Sequence, residues 1–190
     1  AALTGARDVI IEENLRPEKS YNTNINYTGT FISKKDNAFN IDITGFYTYF
    51  TNKVFPDYTS DPDKIYYKNL NGYAVSEGIS INLSTSYING FKFNGGSTFM
   101  NIINVEEGIK QQQMLSEKFT GTWGISYFFK HPKIEIDYTG NVYSPMRLPL
   151  VSETDPRKEF SPWWSTQNIQ LNYKGLKNWE FYIGIKNLLN

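Results

Sequence analysis

The chain has 190 residues, with 19 basic and 19 acidic side chains, no cysteine and a single histidine. The zero net charge argues against a nucleic-acid partner, and the lack of cysteine excludes disulfides, zinc–thiolate sites and thiol chemistry. Hydrophobic residues make up only 39% of the chain, yet aromatic residues reach 16%. That combination is typical of transmembrane β-barrels, in which half of each strand is polar and aromatic rings mark both membrane interfaces.

Alternation of apolar and polar residues with a period of two runs through most of the chain and predicts β-strands. In one clear case, Ile79 and Ile81 oppose Ser80 and Asn82. No window of about 20 apolar residues suggests a transmembrane helix. The pattern predicts eight strands and no helix, in the order Tyr21–Phe31, Phe39–Thr51, Gly78–Tyr87, Phe91–Ile102, Phe119–Phe129, Ile134–Tyr143, Gln167–Lys174 and Trp179–Leu189.

Short and long connections alternate between these strands. Ile88–Gly90 and Lys130–Lys133 have the composition of tight turns. In an up-and-down antiparallel sheet every second connection lies at the same end, so one end has tight turns and the other has large loops. Outer-membrane barrels have this arrangement, with short periplasmic turns and longer extracellular loops. The long segments cover roughly Asn52–Glu77, Ile103–Lys118 and Ser144–Thr166.

A soluble β-sandwich or soluble closed barrel is the main alternative, because its strands also alternate. Three features favour the membrane. The polar faces are rich in Asn, Thr and Ser rather than Lys and Glu, rings gather beside the short turns, and most strands have about ten residues, enough to cross a bilayer at a tilt. A small outer-membrane barrel for adhesion or anchoring is a second alternative, because about eight strands can close on themselves.

Catalytic residues are not evident in the sequence. His131 lies beside Pro132 in a tight turn, which disfavours a Ser–His–Asp triad or a histidine metal site. Adjacent acids such as Glu106 and Glu107 are more often solvated charge than an acid–base pair. No glycine pattern follows a strand and opens a helix, so a nucleotide-binding loop is not supported. We expect no enzymatic activity, no metal and no cofactor.

Three segments resemble the TonB-dependent outer-membrane receptors. Glu13–Ser20 is similar to the N-L-K-P-E-K-S signature that leads into a descending strand of these receptors. Asn69–Ile79 resembles their N-x-x-x-A-x-S-x-G-V segment, and Gly184–Asn190 resembles the G-V-x-N-L-F-N of their penultimate strand. Each motif is short and degenerate, but their order and spacing along the chain match the family.

The resemblance implies an all-β fold, an antiparallel up-and-down transmembrane barrel of about 22 strands that is plugged by an N-terminal domain. The eight predicted strands would be roughly strands 14 to 21 of that barrel. Residues 1–190 would then be a single fragment of the barrel domain, and the signal peptide, the plug and the last strand would lie outside it. The implied partners are outer-membrane lipid, the plug and, through the missing parts, the TonB complex.

The resemblance also implies active uptake of a small, scarce nutrient that binds among the outer loops and the plug. Iron–siderophore or cobalamin-like cargo comes first by its frequency in the family, ahead of glycans or peptides. The alternative is that the loops only shield the barrel mouth. The ligand-contact candidates are Tyr58, Gln111, Gln112, Gln113, Arg147 and Arg157. The charged residues expected to face the lumen, and to pair with the plug or the wall, are Asp42, Glu135, Asp137, Glu180 and Lys186.

Overall fold

The computed structural model describes residues 7–35, 37–58, 60–150 and 156–189. This part of the chain contains no helix long and apolar enough to cross a membrane. Its strands are β1 (Asp8–Ile11), β2 (Lys19–Ile32), β3 (Ala38–Asn52), β4 (Val54–Asp57), β5 (Lys64–Asn69), β6 (Gly72–Ser86), β7 (Phe91–Glu106), β8 (Ile109–Gln112), β9 (Phe119–Phe129), β10 (Ile134–Tyr143), β11 (Trp164–Tyr173) and β12 (Phe181–Ile185).

The long strands form one antiparallel meander in the order β12-β11-β10-β9-β7-β6-β3-β2. All eight predicted strands are present, and both predicted bounds are confirmed for β9 and β10. The segment Trp179–Leu189 was predicted too long, because regular pairing is confined to the five residues of β12. Within the described residues β2 and β12 each pair on one side only, so the sheet is open.

Four short strands lie outside the eight predicted ones, and three of them, β4, β5 and β8, lie in segments that the sequence predicts as long loops. β8 pairs with the end of β7, and β4 pairs with β5. β1 pairs in parallel with β5, which places Ile10 opposite Tyr66. Strands of four to six residues are too short to show a clear alternation, and pairing across more than 50 residues leaves no local pattern. The end of the meander that carries these additions is called the loop end, and the opposite end the turn end.

The register builds two different faces. Asp42, Asn82, Gly96, Thr122 and Asn141 are successive partners from β3 to β10, which forms a row of small polar residues on what we call the polar face. One residue further along each strand, the side chains point to the opposite side. That side, the apolar face, carries the paired residues Ile43 and Ile81.

The apolar face has no protein packed against it. Ile25 and Ile183 are 75% and 72% exposed, and the buried apolar residues of the described chain are only Leu70, Ala74 and Val105. The accessible surface is 13241 Å² for 22.0 kDa, against about 9,300 Å² for a compact monomer of that mass. The large apolar side chains therefore do not converge on a dry interior. They form an uncovered apolar face, as a lipid-facing sheet requires.

Aromatic rings form contacts at both ends of the strands. The sequence predicted the group beside the tight turns but not the second group at the loop end. Ten residues that rise 3.3 Å each, in a strand tilted by about 45°, separate the two groups by about 23 Å along the membrane normal. This agrees with an apolar band about 25 Å tall. Ring centroids lie 6.0 Å apart in Phe31–Phe39 and 5.8 Å in Tyr87–Phe91 at the turn end, and 5.4 Å in Tyr49–Tyr73 and 4.7 Å in Phe99–Phe119 at the loop end.

Candidate functional site

The largest elaboration of the meander is at the loop end, where two hairpins rise from it. The first consists of β4 and β5, between β3 and β6. The second extends β7 into β8 through Glu107 and Gly108, both with positive φ (50° and 80°). Positive φ at both central residues is the geometry of a type I′ turn, which matches the twist of the strands that it joins.

Between the two hairpins lies a cavity of about 550 Å³, which we call the mouth cavity. Its volume falls within the ~300–1,000 Å³ that is usual for small-molecule sites. Arg157 does not line it, and instead donates from Nη2 to the Pro149 carbonyl at 3.0 Å. The other five ligand-contact candidates do line it: Tyr58, Gln111, Gln112, Gln113 and Arg147.

Lys53 is the cation whose surroundings differ most from those of a surface lysine. Its Nζ donates to Asn104 Oδ1 at 3.1 Å and to Gln113 Oε1. The ammonium also lies 5.4 Å from the centre of the Phe50 ring, within the range of a cation–π contact. Lys53 directly follows β3, so the end of that strand places the ammonium in the mouth cavity.

The other two cations of the mouth cavity have carboxylate partners. Lys68 Nζ lies 2.8 Å from Asp57 Oδ2, and Asp57 is only 8% exposed. Arg147 Nε lies 3.2 Å from Glu159 Oε1, and its Nη1 donates to Gln111 Oε1 at 3.4 Å. These contacts fix one side chain from β5 and one from the segment after β10 on opposite sides of the cavity.

Tyr58 and Gln112 line the cavity with different surroundings. The Tyr58 carbonyl accepts a hydrogen bond from Arg7 Nη1 at 3.0 Å, and burial raises the pKa of its phenol. The Gln112 side chain turns toward the following loop, where Nε2 donates to the Ser116 carbonyl at 3.4 Å. Gln112 therefore has one of its donors already engaged within the protein.

The pKa values of the two lysines of the cavity are shifted in opposite directions. Burial lowers the pKa of Lys53, against a smaller opposing effect of the Glu18 carboxylate. The hydrogen bond to Asp57 raises the pKa of Lys68, because it stabilises the charged form. We expect the rate of acetylation to reach its midpoint at a lower pH for Lys53 than for Lys68. Mass spectrometry of acetylated peptides across a pH series measures both, and equal midpoints would contradict the prediction.

Two of the predicted lumen-facing acids lie on the polar face among neutral donors. Asp42 Oδ2 accepts from Asn26 Nδ2 and from Thr28 Oγ1, both at 3.0 Å. Asp137 accepts from Ser126 Oγ of the neighbouring strand. Asp42 also lines a shallow depression of about 620 Å³ in the middle of the polar face.

Two of the remaining charged candidates, Glu135 and Glu180, lie at the turn end. Glu135 is paired with Lys174 and lies 3.9 Å from Lys92 Nζ. Lys174 also lies 3.5 Å from Glu180 Oε1, so these charges form one network that links β7, β10 and the connection between β11 and β12. Lys186 stands apart, exposed and just beyond the end of β12.

Sequence reasoning missed some residues at the loop end. Lys53 and Asn104 were not singled out, although the alternation of β7 assigns Asn104 to the polar face. Tyr143 and Trp164 are paired across β10 and β11 and stack at 4.4 Å with an interplanar angle of 11°. Tyr143 is also the partner of Thr120, which places this stack on the polar face. The alternation of side chains along each strand was the signal that could have placed Asn104, Tyr143 and Trp164 on the polar face.

The part of the chain that the structure describes holds no group of three or more His, Cys, Asp or Glu side chains that could bind a metal ion. The mouth cavity is lined by hydrogen-bonding amides, three cations, the carboxylates of Asp57 and Glu106, and aromatic rings. This set suits the binding of a small polar molecule.

Comparison with solved structures gives outer-membrane receptors and transporters. The chain is 14% identical to an FrpB iron transporter from Neisseria meningitidis, with a TM-score of 0.62 over 96% of this chain and 27% of that one. It is 17% identical to the ferripyoverdine receptor of Pseudomonas aeruginosa, with a TM-score of 0.67 over 92% and 24%. For the siderophore receptor PiuA of Acinetobacter baumannii the values are 13%, 0.58, 88% and 24%.

The chain thus spans about a quarter of the length of the solved structures that it matches. No curated protein sequence matches it. The family model described as TonB dependent receptor-like, beta-barrel, matches residues 3–188. The chain therefore belongs to the TonB-dependent receptor family, and its strands are those of an outer-membrane β-barrel.

Proposed function

We propose that this chain is part of a receptor that takes up a scarce nutrient across the outer membrane with energy from TonB. The observation that carries the proposal is the combination of an uncovered apolar face with a polar cavity at the loop end of the same sheet. The first suits lipid, and the second suits ligand capture on the outer side. Family membership supports a transport role rather than an enzymatic one.

We further propose that residues 1–190 form one segment of a larger barrel. A closed barrel of about eight strands would need β12 to pair with β2. Instead, both strands have an unpaired edge in the described chain. This supports a wall completed by further strands over the small-barrel alternative. A plug domain within that wall would meet the polar face, where Asp42 and Glu135 are candidates for pairing with it.

The cargo that we propose is an iron–siderophore complex or a cobalamin-like molecule. Two of the similar structures are described as a ferripyoverdine receptor and a siderophore receptor, and a third as an iron transporter. In this chain the contacts would come from the mouth cavity, with Tyr58, Gln111, Gln113 and Arg147 as the leading residues. Arg157 does not line the cavity, so it would contact the ligand only if the ligand extends beyond the cavity.

Uptake by the full-length receptor tests this proposal. The receptor would be expressed in an outer-membrane host that lacks its own siderophore and cobalamin receptors. The probes are ⁵⁵Fe loaded on hydroxamate, catecholate and carboxylate siderophores, and labelled cyanocobalamin. We expect accumulation of at least one probe, and its loss in the same host without TonB. Accumulation that is equal with and without TonB would contradict the proposal.

A further inference from the structure

We propose that the mouth cavity is a receptor for anions, built around Lys53, and that it selects ligands bearing carboxylate groups. This inference rests on the proposed uptake function and specifies the ligand chemistry of the same site. It depends on which hydrogen-bonding atoms remain available in the cavity after the internal contacts are made.

The first step concerns the charge of Lys53. In the described part of the chain no carboxylate lies within ion-pair distance of its Nζ, and its partners are the amide oxygens of Asn104 and Gln113. Glu18 acts on it only through space, with its Oε1 accepting the Val54 N–H at 2.9 Å. A partly buried ammonium is normally matched by an anion, because neutral partners do not fully offset the lost hydration. Lys53 therefore has an unmet requirement for a negative charge.

The second step concerns the other charges that line the cavity. The Lys68 ammonium is matched by Asp57 at 2.8 Å and the Arg147 guanidinium by Glu159 at 3.2 Å. The Glu106 carboxylate also lines the cavity, and its Oε1 accepts the Asn71 N–H at 3.3 Å. Lys53 is thus the cation of this site without a carboxylate partner among the described residues.

The third step concerns the three amides. Lysine and arginine side chains only donate, so the amide atom facing a cation must be the oxygen. Lys53 occupies the oxygens of Asn104 and Gln113, and Arg147 occupies that of Gln111. Each amide is left with its NH₂ group, for which the described chain supplies no acceptor. The Lys53 ammonium therefore has two amide NH₂ groups beside it, and the Arg147 guanidinium has a third. N–H donors next to a cation are the arrangement that binds carboxylate oxygens.

The test uses the purified full-length receptor and isothermal titration calorimetry. The probe is citrate, with its neutral triethyl ester as the uncharged analogue. We expect citrate to bind and the ester not to bind. Gln113→Glu is nearly isosteric and would supply Lys53 with an internal carboxylate, so it should weaken citrate binding at least about tenfold. Lys53→Met should weaken binding by a similar factor.

Lys110→Met is the matched control, because it also removes one lysine charge at the loop end, from an exposed position of the β7–β8 hairpin outside the cavity. Its affinity for citrate should stay within about twofold. Equal binding of citrate and ester, absence of citrate binding, or an unchanged affinity in Gln113→Glu would overturn the inference. TonB-dependent uptake without anion binding would overturn this inference alone, whereas anion binding without TonB-dependent uptake would overturn only the proposed function.

Discussion

Replacing Ile81 with lysine is expected to destabilise the membrane-inserted receptor by about 2–4 kcal/mol, the cost of a basic side chain on the lipid face near the bilayer midplane. Ile81 lies on the apolar face, paired with Ile43, about midway between the two groups of aromatic rings. Its cross-strand partners on that face are Ile43 and Ser97, so these two residues offer a single hydroxyl to the new ammonium. The measurement is guanidinium unfolding of the receptor folded into lipid vesicles, followed by tryptophan fluorescence.

Ser80→Lys is the matched control, since it introduces the same side chain one position away on the polar face. Ser80 loses only a hydroxyl contact, 2.9 Å from Thr98 Oγ1, so the expected cost is about 1 kcal/mol or less. If the two variants were equally destabilised, or Ser80→Lys more so, the assignment of the two faces would be wrong. The soluble β-sheet alternative predicts the same order, because a packed core would also disfavour a lysine at position 81, so this pair of variants tests which face is apolar rather than what covers that face.

Gly78→Ala is expected to destabilise the β6–β7 pairing by about 1–3 kcal/mol through overpacking. A Cβ at this position would lie 2.4 Å from the Phe99 carbonyl oxygen and 2.5 Å from the Phe46 ring. The ring can turn aside, but the carbonyl belongs to the paired strand and cannot move without disturbing the ladder. The same vesicle unfolding experiment measures the loss.

Gly45→Ala serves as the control for Gly78→Ala. Gly45 lies in β3, in the same sheet, and a Cβ there would meet nothing within 4 Å. Alanine in this open position should stabilise the receptor by about 0.5–1 kcal/mol, because it restricts the unfolded chain more than glycine does. A loss of stability in Gly45→Ala equal to that in Gly78→Ala would show that the backbone contact is not the cause.

The long strands were predictable because one physical requirement acts on every residue in them. A strand with lipid on one side and a hydrated lumen on the other must alternate, and β9 and β10 do so from the first residue to the last. β1, β4, β5 and β8 lie outside the bilayer span, where no such requirement applies. β1 and β5 pair across more than 50 positions, which a single sequence does not reveal, and strands of four to six residues are too short to show a clear alternation.

The candidate site was predictable only in part, for a related reason. Loop length located the region, and polar composition selected Gln111 and Gln113, which do line the mouth cavity. Lys53 looked like an ordinary residue at a strand end, because its importance comes from Asn104, 51 positions away. Arg157 looked equivalent to Arg147 in sequence, yet Arg147, which forms a bridge with Phe160, lines the cavity and Arg157 does not.

The parallel pairing of β1 with β5 couples the chain before β2 to the insertion after β3. Besides the strand pairing, Arg16 N donates to Asn69 Oδ1 at 2.7 Å and Asn69 Nδ2 donates back to the Arg16 carbonyl at 2.9 Å. An outward movement of the β4–β5 hairpin would therefore either move β1 with it or first break these hydrogen bonds. Among the residues that the structure describes, no comparable contact holds the Glu107–Gly108 tip of the other hairpin, so a fluorophore attached there would report ligand entry without restraining the hairpin.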